Sequence, residues 1–256
     1  MRILLLLCAL AMPAVSWFSQ SGAFGPDNGT ISDRYPTLLV AAGYAFSVWG
    51  LIFLLDVVFG VWQLRPRQRD SAILDRIRPA ATAGFVLTAA WMPIFAQQVF
   101  WLALLVIWAA LACLLYCAIV LSAHEPPRPG ERAWAWFPLS LHAGWLTLAA
   151  FLNTAQVIVA YEWLPTGDML SWSLWLFAAA TALLLAANGR MRGNWAYAAV
   201  AVWGLVAVYQ KQSASTLPGA STAAWIAIGI AIAALVQTLW LRMHHRRRID
   251  RRRRDA

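Results

Sequence analysis

Two ionisable side chains, Asp56 and His142, lie deep inside apolar stretches, where they could form an acid–imidazole pair. At a rise of about 1.5 Å per residue, Asp56 lies roughly 10 Å and His142 roughly 13 Å from the same membrane surface. A buried pair in one layer could bind a ligand or respond to pH. In the alternative, Asp56 reaches toward the arginines of 65–69 or is protonated, and His142 bonds a backbone carbonyl.

The tryptophans of this chain fall into two groups by depth. Most of the 16 tryptophans fit the aromatic belts at the membrane surfaces. A single tryptophan at mid-depth is usually packing filler, but three in helices that pack together would wall an aromatic pocket. Such pockets bind flat hydrophobic ligands through stacking and apolar burial. The mid-depth set comprises Trp49, Trp91, Trp108, Trp145 and Trp203.

The sequence carries no recognisable catalytic or metal-binding arrangement. It has no Ser-His-Asp set within one leaflet, no phosphate-binding loop, and no His/Cys cluster with metal spacing. The three cysteines lie in apolar runs, which is typical of small buried hydrophobic residues. We therefore expect no enzyme activity, no catalytic residue, no metal site and no required cofactor.

Composition predicts an all-α, polytopic membrane helix bundle. Hydrophobic residues make up 61% of the 256 residues and charged residues only 12%, whereas about a quarter of a soluble domain is charged. Long apolar runs predict about eight transmembrane helices. The predicted spans cover residues 1–17, 38–63, 79–97, 99–122, 133–160, 170–187, 194–209 and 221–241.

Basic residues predict the orientation of these spans. Of the 20 lysines and arginines, all except Arg34 and Lys211 fall on one side of an eight-span alternation. The positive-inside rule then places both termini in the cytoplasm. The basic tail, 242–256, would fix the orientation and lie on anionic lipid. Because the positive charges lie between spans and in one tail, we expect no nucleic-acid partner.

The first apolar stretch has two interpretations. It could be a signal peptide with a small-residue cleavage site at Ala14-Val15-Ser16. It could instead be retained as a short first span. The topology of the rest of the chain is the same in both cases.

Three segments resemble signature motifs of the TspO/MBR family, the tryptophan-rich sensory proteins and translocator proteins. Residues 42–53, AGYAFSVWGLIF, resemble its second-helix motif, and residues 90–95, AWMPIF, its third-helix motif. Trp145, followed by Leu152-Asn153, is similar to the fifth-helix motif. The resemblance covers about residues 1–160. Departures include Ala41-Ala42 in place of the family's Pro-Pro and three further spans.

The resemblance implies a five-helix bundle that begins with a retained span and contains a ligand pocket. We expect a five-helix domain at 1–160, three additional helices at 161–241 and a basic cytoplasmic tail at 242–256. The loop 19–37, on the non-cytoplasmic side, would close the pocket. The family binds tetrapyrroles such as protoporphyrin, and some members bind sterols. Position for position, the pocket residues would be Phe46, Trp49, Trp91, Trp101, Trp145, Ala149, Leu152 and Asn153.

Three functions follow from these observations. The leading prediction is a receptor or carrier for a flat hydrophobic ligand, either a tetrapyrrole or a sterol-like lipid, in a bacterial inner membrane. The second is a structural subunit that forms a homodimer or assembles with partner membrane subunits. The third is a proton-coupled transporter that uses Asp56 and His142. The natural ligand stays open.

Overall fold

The computed structural model describes the backbone of residues 1–254 and the side chains of residues 1–245. These residues form helices without any strand, which confirms the predicted all-α fold. Short 3-10 helices lie at Gly43–Ser47, Pro66–Gln68 and Thr166–Asp168, and a π-helical turn at Arg132–Trp136. The α-helices are α1 (Arg2–Gln20), α2 (Asn28–Arg34), α3 (Val48–Trp62), α4 (Ala72–Ala96), α5 (Phe100–Ala123), α6 (Phe137–Ala160), α7 (Met169–Arg190), α8 (Trp195–Ser213) and α9 (Ala220–Arg254).

Seven helical segments in the described part of the chain are long and apolar enough to cross a membrane. The remaining predicted span, 194–209, is α8, which packs against α6 and α9 but is less apolar than the others. Its last turn carries Gln210, Lys211 and Gln212, and these polar side chains lower its mean hydropathy. Two of them, Lys211 and Gln212, contact the segment that precedes α3.

Helix α6 is the centre of the bundle. It packs against α3, α5, α7 and α8. In its most apolar 18-residue window 83% of the residues are buried, against 22–50% in the other six spans. Since α6 is enclosed on all sides, its polar side chains must meet protein groups or a cavity rather than lipid.

Two glycines allow α6 and α8 to approach closely. A Cβ on Gly144 of α6 would lie 2.5 Å from the backbone oxygen of Tyr197, and one on Gly204 of α8 would lie 2.6 Å from Leu148. The hydroxyls of Thr147 and Tyr197 are hydrogen-bonded at 2.9 Å in the same interface. Small residues and interhelical hydrogen bonds are how membrane helices associate in lipid. This contact joins the last three helices to the first part of the bundle.

Two helices begin at residues other than those predicted for their spans. Helix α3 begins at Val48, ten residues after the predicted start, because the buried residues Leu38–Ala41 and the following Ala42 are not helical. Their backbone is satisfied by α8: Ala42 donates to Ala207, and Gln212 donates to the carbonyl of Val40. Helix α4 begins at Ala72, earlier than predicted, and contains Pro79 within its second turn.

The connections that carry most of the arginines meet at one end of the bundle, which we call the basic side. Arg128 donates to the backbone of Asp70 at 2.9 Å, and Arg192 pairs with Glu125 at 3.3 Å. At the opposite end Lys211 pairs with Asp33. Helix α9 runs past residue 241 into the predicted tail. The predicted lipid contact of that tail falls largely on side chains outside the described residues.

Candidate ligand-binding site

Three tryptophans from three helices meet near the middle of the bundle. The ring of Trp49 on α3 lies 6.3 Å from Trp91 on α4 and 5.9 Å from Trp145 on α6, measured between ring centroids. Phe46 approaches Trp145 edge-on at 6.1 Å, and Phe95 stacks on Trp91 at 4.8 Å. Offset and edge-to-face contacts at these distances are favourable for aromatic pairs. All three tryptophans are buried.

The other two mid-depth tryptophans lie apart from this cluster. Trp108 donates a hydrogen bond to Thr154 at 3.2 Å and packs edge-on against Phe151. Trp203 on α8 donates to the backbone oxygen of Ala45 and is partly exposed. These two side chains join helices, as expected of ordinary packing residues.

The cluster surrounds a small cavity, which we call the aromatic cavity. Its volume is about 10 Å³, which is room for about one water molecule. Seven of the eight predicted pocket residues line it. Sequence reasoning missed Phe95 and Gln156, although their spacing of four from Trp91 and three from Asn153 places each on the same helix face. The full lining is Ser32, Phe46, Trp49, Trp91, Phe95, Trp145, Ala149, Leu152, Asn153 and Gln156.

Trp101, the eighth predicted pocket residue, lies outside the aromatic cavity. Its side chain is 51% exposed at the start of α5. The preceding residue, Phe100, points inward and contacts Phe95 at 5.6 Å and Tyr35 at 5.0 Å. Because successive residues of a helix are rotated by about 100°, an inward Phe100 directs Trp101 toward the surface.

Polar groups inside the aromatic cavity are largely satisfied by the protein. Trp91 donates its indole N–H to Asn153 at 3.0 Å, and the Asn153 amide donates to the backbone oxygen of Ala149. Gln156 donates to Ser32 at 3.0 Å. Trp145 is the exception, because its buried indole nitrogen makes no hydrogen bond with the described residues. Buried N–H groups without a partner are rare, so this donor is available to a bound molecule.

The segment 19–37 covers the aromatic cavity at the end of the bundle opposite the basic side, and we call this segment the lid. It contains α2, whose first turn is capped by Asp27 through bonds from the backbone of Gly29 and Thr30. Hydrogen bonds from Thr30 also hold the pKa of the Asp27 carboxyl below its usual value. Ser32 of α2 reaches the aromatic cavity itself. The lid therefore lies where the predicted closing loop was expected.

Helix α8 holds the lid and the chain that follows it. Gln212 donates to the backbone oxygens of Thr37 and Val40, each at 3.0 Å. Lys211 pairs with Asp33 at 2.7 Å. Helix α8, one of the additional C-terminal helices, thus helps to hold the lid over the aromatic cavity. Access to this cavity from the lid side requires that these contacts break or move with the lid.

Asp56 and His142 lie in direct contact one layer below the aromatic cavity. The Asp56 Oδ2 and His142 Nδ1 atoms are 2.7 Å apart, and both side chains are fully buried. Thr88 Oγ1 lies 3.4 Å from His142 Nε2, and Phe85 stacks on the imidazole. Asp56 Oδ1 has no hydrogen-bond partner among the described residues. Trp49 contacts His142 edge-on at 5.7 Å, so one ring touches both layers.

Comparison with known proteins supports the family suggested by the tryptophan motifs. Within the described residues no group of three or more His, Cys, Asp or Glu side chains could hold a metal ion. Neither the curated proteins nor the solved structures gave a match. The family model for TSPO-like proteins matches residues 2–240, a range that includes α7, α8 and most of α9. The predicted resemblance is thereby confirmed: this integral membrane chain belongs to the family of TSPO-like proteins.

Proposed function

We propose that the chain is a membrane receptor or carrier for a flat hydrophobic ligand, with tetrapyrroles as the first candidates and sterol-like lipids as the second. The observation that carries this proposal is the meeting of Trp49, Trp91 and Trp145 beneath the lid. Indole faces from three different helices offer stacking surfaces to a planar molecule. The family is generally non-enzymatic, and the role assigned here involves no reaction.

Ligand entry requires the aromatic cavity to open, since a volume of about 10 Å³ admits no tetrapyrrole. A planar ligand has to separate the rings of Trp49 and Trp145 and displace Ser32 with the lid. The free energy of this opening reduces the apparent affinity of the ligand. In the open cavity, the indole N–H of Trp145 would donate to a polar edge of the ligand.

Titration of the full chain in mild detergent with protoporphyrin tests this proposal, through tryptophan quenching and through the porphyrin absorption band. We expect saturable binding that weakens at least tenfold in the double variant Trp91→Leu/Trp145→Leu, because it removes two stacking rings that each contribute about 1 kcal/mol or more. The control is Trp108→Leu/Trp203→Leu, which removes two tryptophans of similar depth outside the cavity. Absent saturation, or equal affinities of the two double variants, would refute the proposal.

A structural role is the second candidate, and the nearly filled aromatic cavity favours it. If the tryptophans serve only to pack α3, α4 and α6, the chain would associate with partner subunits or a second copy through its outer helices. Mass measurement of the complex extracted in mild detergent separates the two roles. Recovery of the chain alone, together with saturable porphyrin binding, contradicts the structural role.

Proton-coupled transport is a third candidate, favoured by the contact between Asp56 and His142. A pair that exchanges protons would make ligand uptake into vesicles depend on pH. The variant Asp56→Asn tests this role because it keeps the shape of the side chain and removes the titrating group. Ligand uptake that is the same at each pH and is unchanged by Asp56→Asn rules out proton-coupled transport by this pair.

A further inference from the structure

A second and much larger cavity lies on the basic side, and we call it the basic-side cavity. Its volume is about 1030 Å³, at the upper end of the range for ligand sites. Six separate segments form it: α3, the end of α5 with the following loop, the start of α6, the α7–α8 turn, the start of α8, and α9. It therefore lies at the junction between the first six helices and the last three.

The wall of this cavity is aromatic. Trp195 lies 5.9 Å from Trp136 and 5.2 Å from Phe137, and Trp134 lies on the same wall. Belt tryptophans face lipid singly along the outside of a protein, whereas these rings converge on one hollow. Leu55 of α3 extends the apolar surface toward the membrane interior. This wall fits an acyl chain.

The mouth of the basic-side cavity carries a surplus of cationic side chains. Arg132, Arg192 and Arg242 line it, against the two carboxylates Glu125 and Glu131. Glu131 is buried and bonded to His124 at 2.6 Å. The Arg132 side chain makes no hydrogen bond or ion pair with the described residues. An anionic group there would therefore meet the unpaired guanidinium of Arg132, with Arg192 and its partner Glu125 on the same mouth.

One carboxylate at the mouth bridges three elements. Glu125 Oε1 lies 3.3 Å from both Arg192 Nη1 and His245 Nε2, which belong to the α7–α8 turn and to α9. Both contacts are partly exposed, and exposed polar pairs of this kind are weak. A phosphate can replace Glu125 as the partner of Arg192 without a large loss of stability.

We infer that the basic-side cavity binds one anionic glycerophospholipid, with its phosphate at Arg132 and Arg192 and an acyl chain along Trp195 and Phe137. Basic pockets between membrane helices recognise anionic lipid head groups in this way. The inference is independent of the proposed porphyrin role, because it uses none of the residues of the aromatic cavity.

Native mass spectrometry of the full chain tests the site with an equal mixture of phosphatidylglycerol and phosphatidylcholine that share the same acyl chains. We expect retention of phosphatidylglycerol in clear excess. Since each arginine contributes about fivefold to the affinity for anionic lipid, Arg132→Gln/Arg192→Gln should lower retention by about tenfold or more. The control Arg190→Gln removes an exposed arginine two residues from Arg192 that does not line the cavity.

A second measurement locates the acyl chain. Phosphatidylglycerol with brominated acyl chains quenches nearby indoles, and the Trp195→Phe variant should lose part of this quenching. The control Trp175→Phe removes a ring that is 78% exposed on α7 and should leave the saturable quenching unchanged. Equal retention of the two lipids, an equal effect of Arg190→Gln, or full displacement of the lipid by inorganic phosphate would overturn the inference.

Discussion

The aromatic cavity and the basic-side cavity both border α6, yet they differ in nearly every physical property. The first has about 10 Å³ of space, lies under a lid and has no charged residue in its lining. The second has about 1030 Å³ and is lined by three arginines and two glutamates. A ligand can enter the second without rearrangement of the helices. A ligand at the first would have to change the structure as it binds, so its affinity would report on the lid as well as on the tryptophans.

The largest expected effect concerns the layer between the two cavities. Asp56→Leu leaves His142 buried without its partner, and breaking a buried pair in this way costs about 3–5 kcal/mol. Asp56→Leu/His142→Leu removes both groups and should lose much less than the sum of the single variants. The free energy of unfolding is measured by denaturing detergent titration for the unsubstituted chain, Asp56→Leu, His142→Leu and the double variant, which together form a double-mutant cycle. Additive losses would show that the contact contributes nothing.

The next effect concerns the close approach of α8 to α6. Gly144→Ala places a Cβ 2.5 Å from the backbone oxygen of Tyr197, so the helices must separate, at a cost of about 2 kcal/mol. The matched control Gly229→Ala meets nothing within 4 Å and should be neutral or gain up to about 1 kcal/mol. Thermal unfolding in micelles compares the two. Equal stability of these variants contradicts the tight α6–α8 contact.

A smaller effect should appear at the lid and nowhere on the basic side. Gln212→Ala removes the donor to two backbone oxygens, each hydrogen bond being worth about 1 kcal/mol. Hydrogen exchange in residues 37–42 should become faster, and porphyrin should bind the aromatic cavity faster. Gln210→Ala, an exposed residue on the same helix, is the control. Unchanged exchange at 37–42 in Gln212→Ala, or a change in lipid retention instead, would show that Gln212 does not hold this segment.

The smallest effect concerns the cap of α2 within the lid. Asp27→Ala should weaken this helix by about 1 kcal/mol. Because the folded pKa of Asp27 is lowered, its contribution is present above the ordinary pKa and lost as pH falls through the lowered value. The protection of the amides of residues 28–34, taken relative to their intrinsic exchange rate at each pH, should therefore fall in acid. Asp27→Asn keeps a capping oxygen but cannot titrate, so a persistent acid response in that variant excludes Asp27 as its cause.

Depth within apolar runs singled out five tryptophans, and three of them, Trp49, Trp91 and Trp145, meet around the aromatic cavity. Helix rise placed Asp56 and His142 in one layer. Four further lining residues, and Trp101, were carried over position for position from the family motifs, and such a comparison does not specify which way Trp101 faces in this chain. The volume depends on how side chains from three helices pack, and neither depth nor spacing specifies that.

The basic-side cavity and the role of α8 were not accessible to the same reasoning. Trp134, Trp136 and Trp195 each fit a surface belt when considered alone, and their convergence requires the start of α8 to pack beside the turn that precedes α6. The contact of Gln212 with the chain after the lid joins residues more than 170 positions apart. Such long-range contacts leave no local periodicity in a single sequence.

Helix α8 gives the molecule a means of thermodynamic coupling between its two ends. Asn194, which caps α8, lines the basic-side cavity, and Gln212 in its last turn holds the chain after the lid. About 28 Å of continuous helix separates these ends, at about 1.5 Å per residue. If lipid at Asn194 shifts α8, porphyrin affinity must change, and porphyrin must change lipid affinity by the same factor. Titrating each ligand in the presence of the other measures that factor, and a value of one would mean that the two ends act independently.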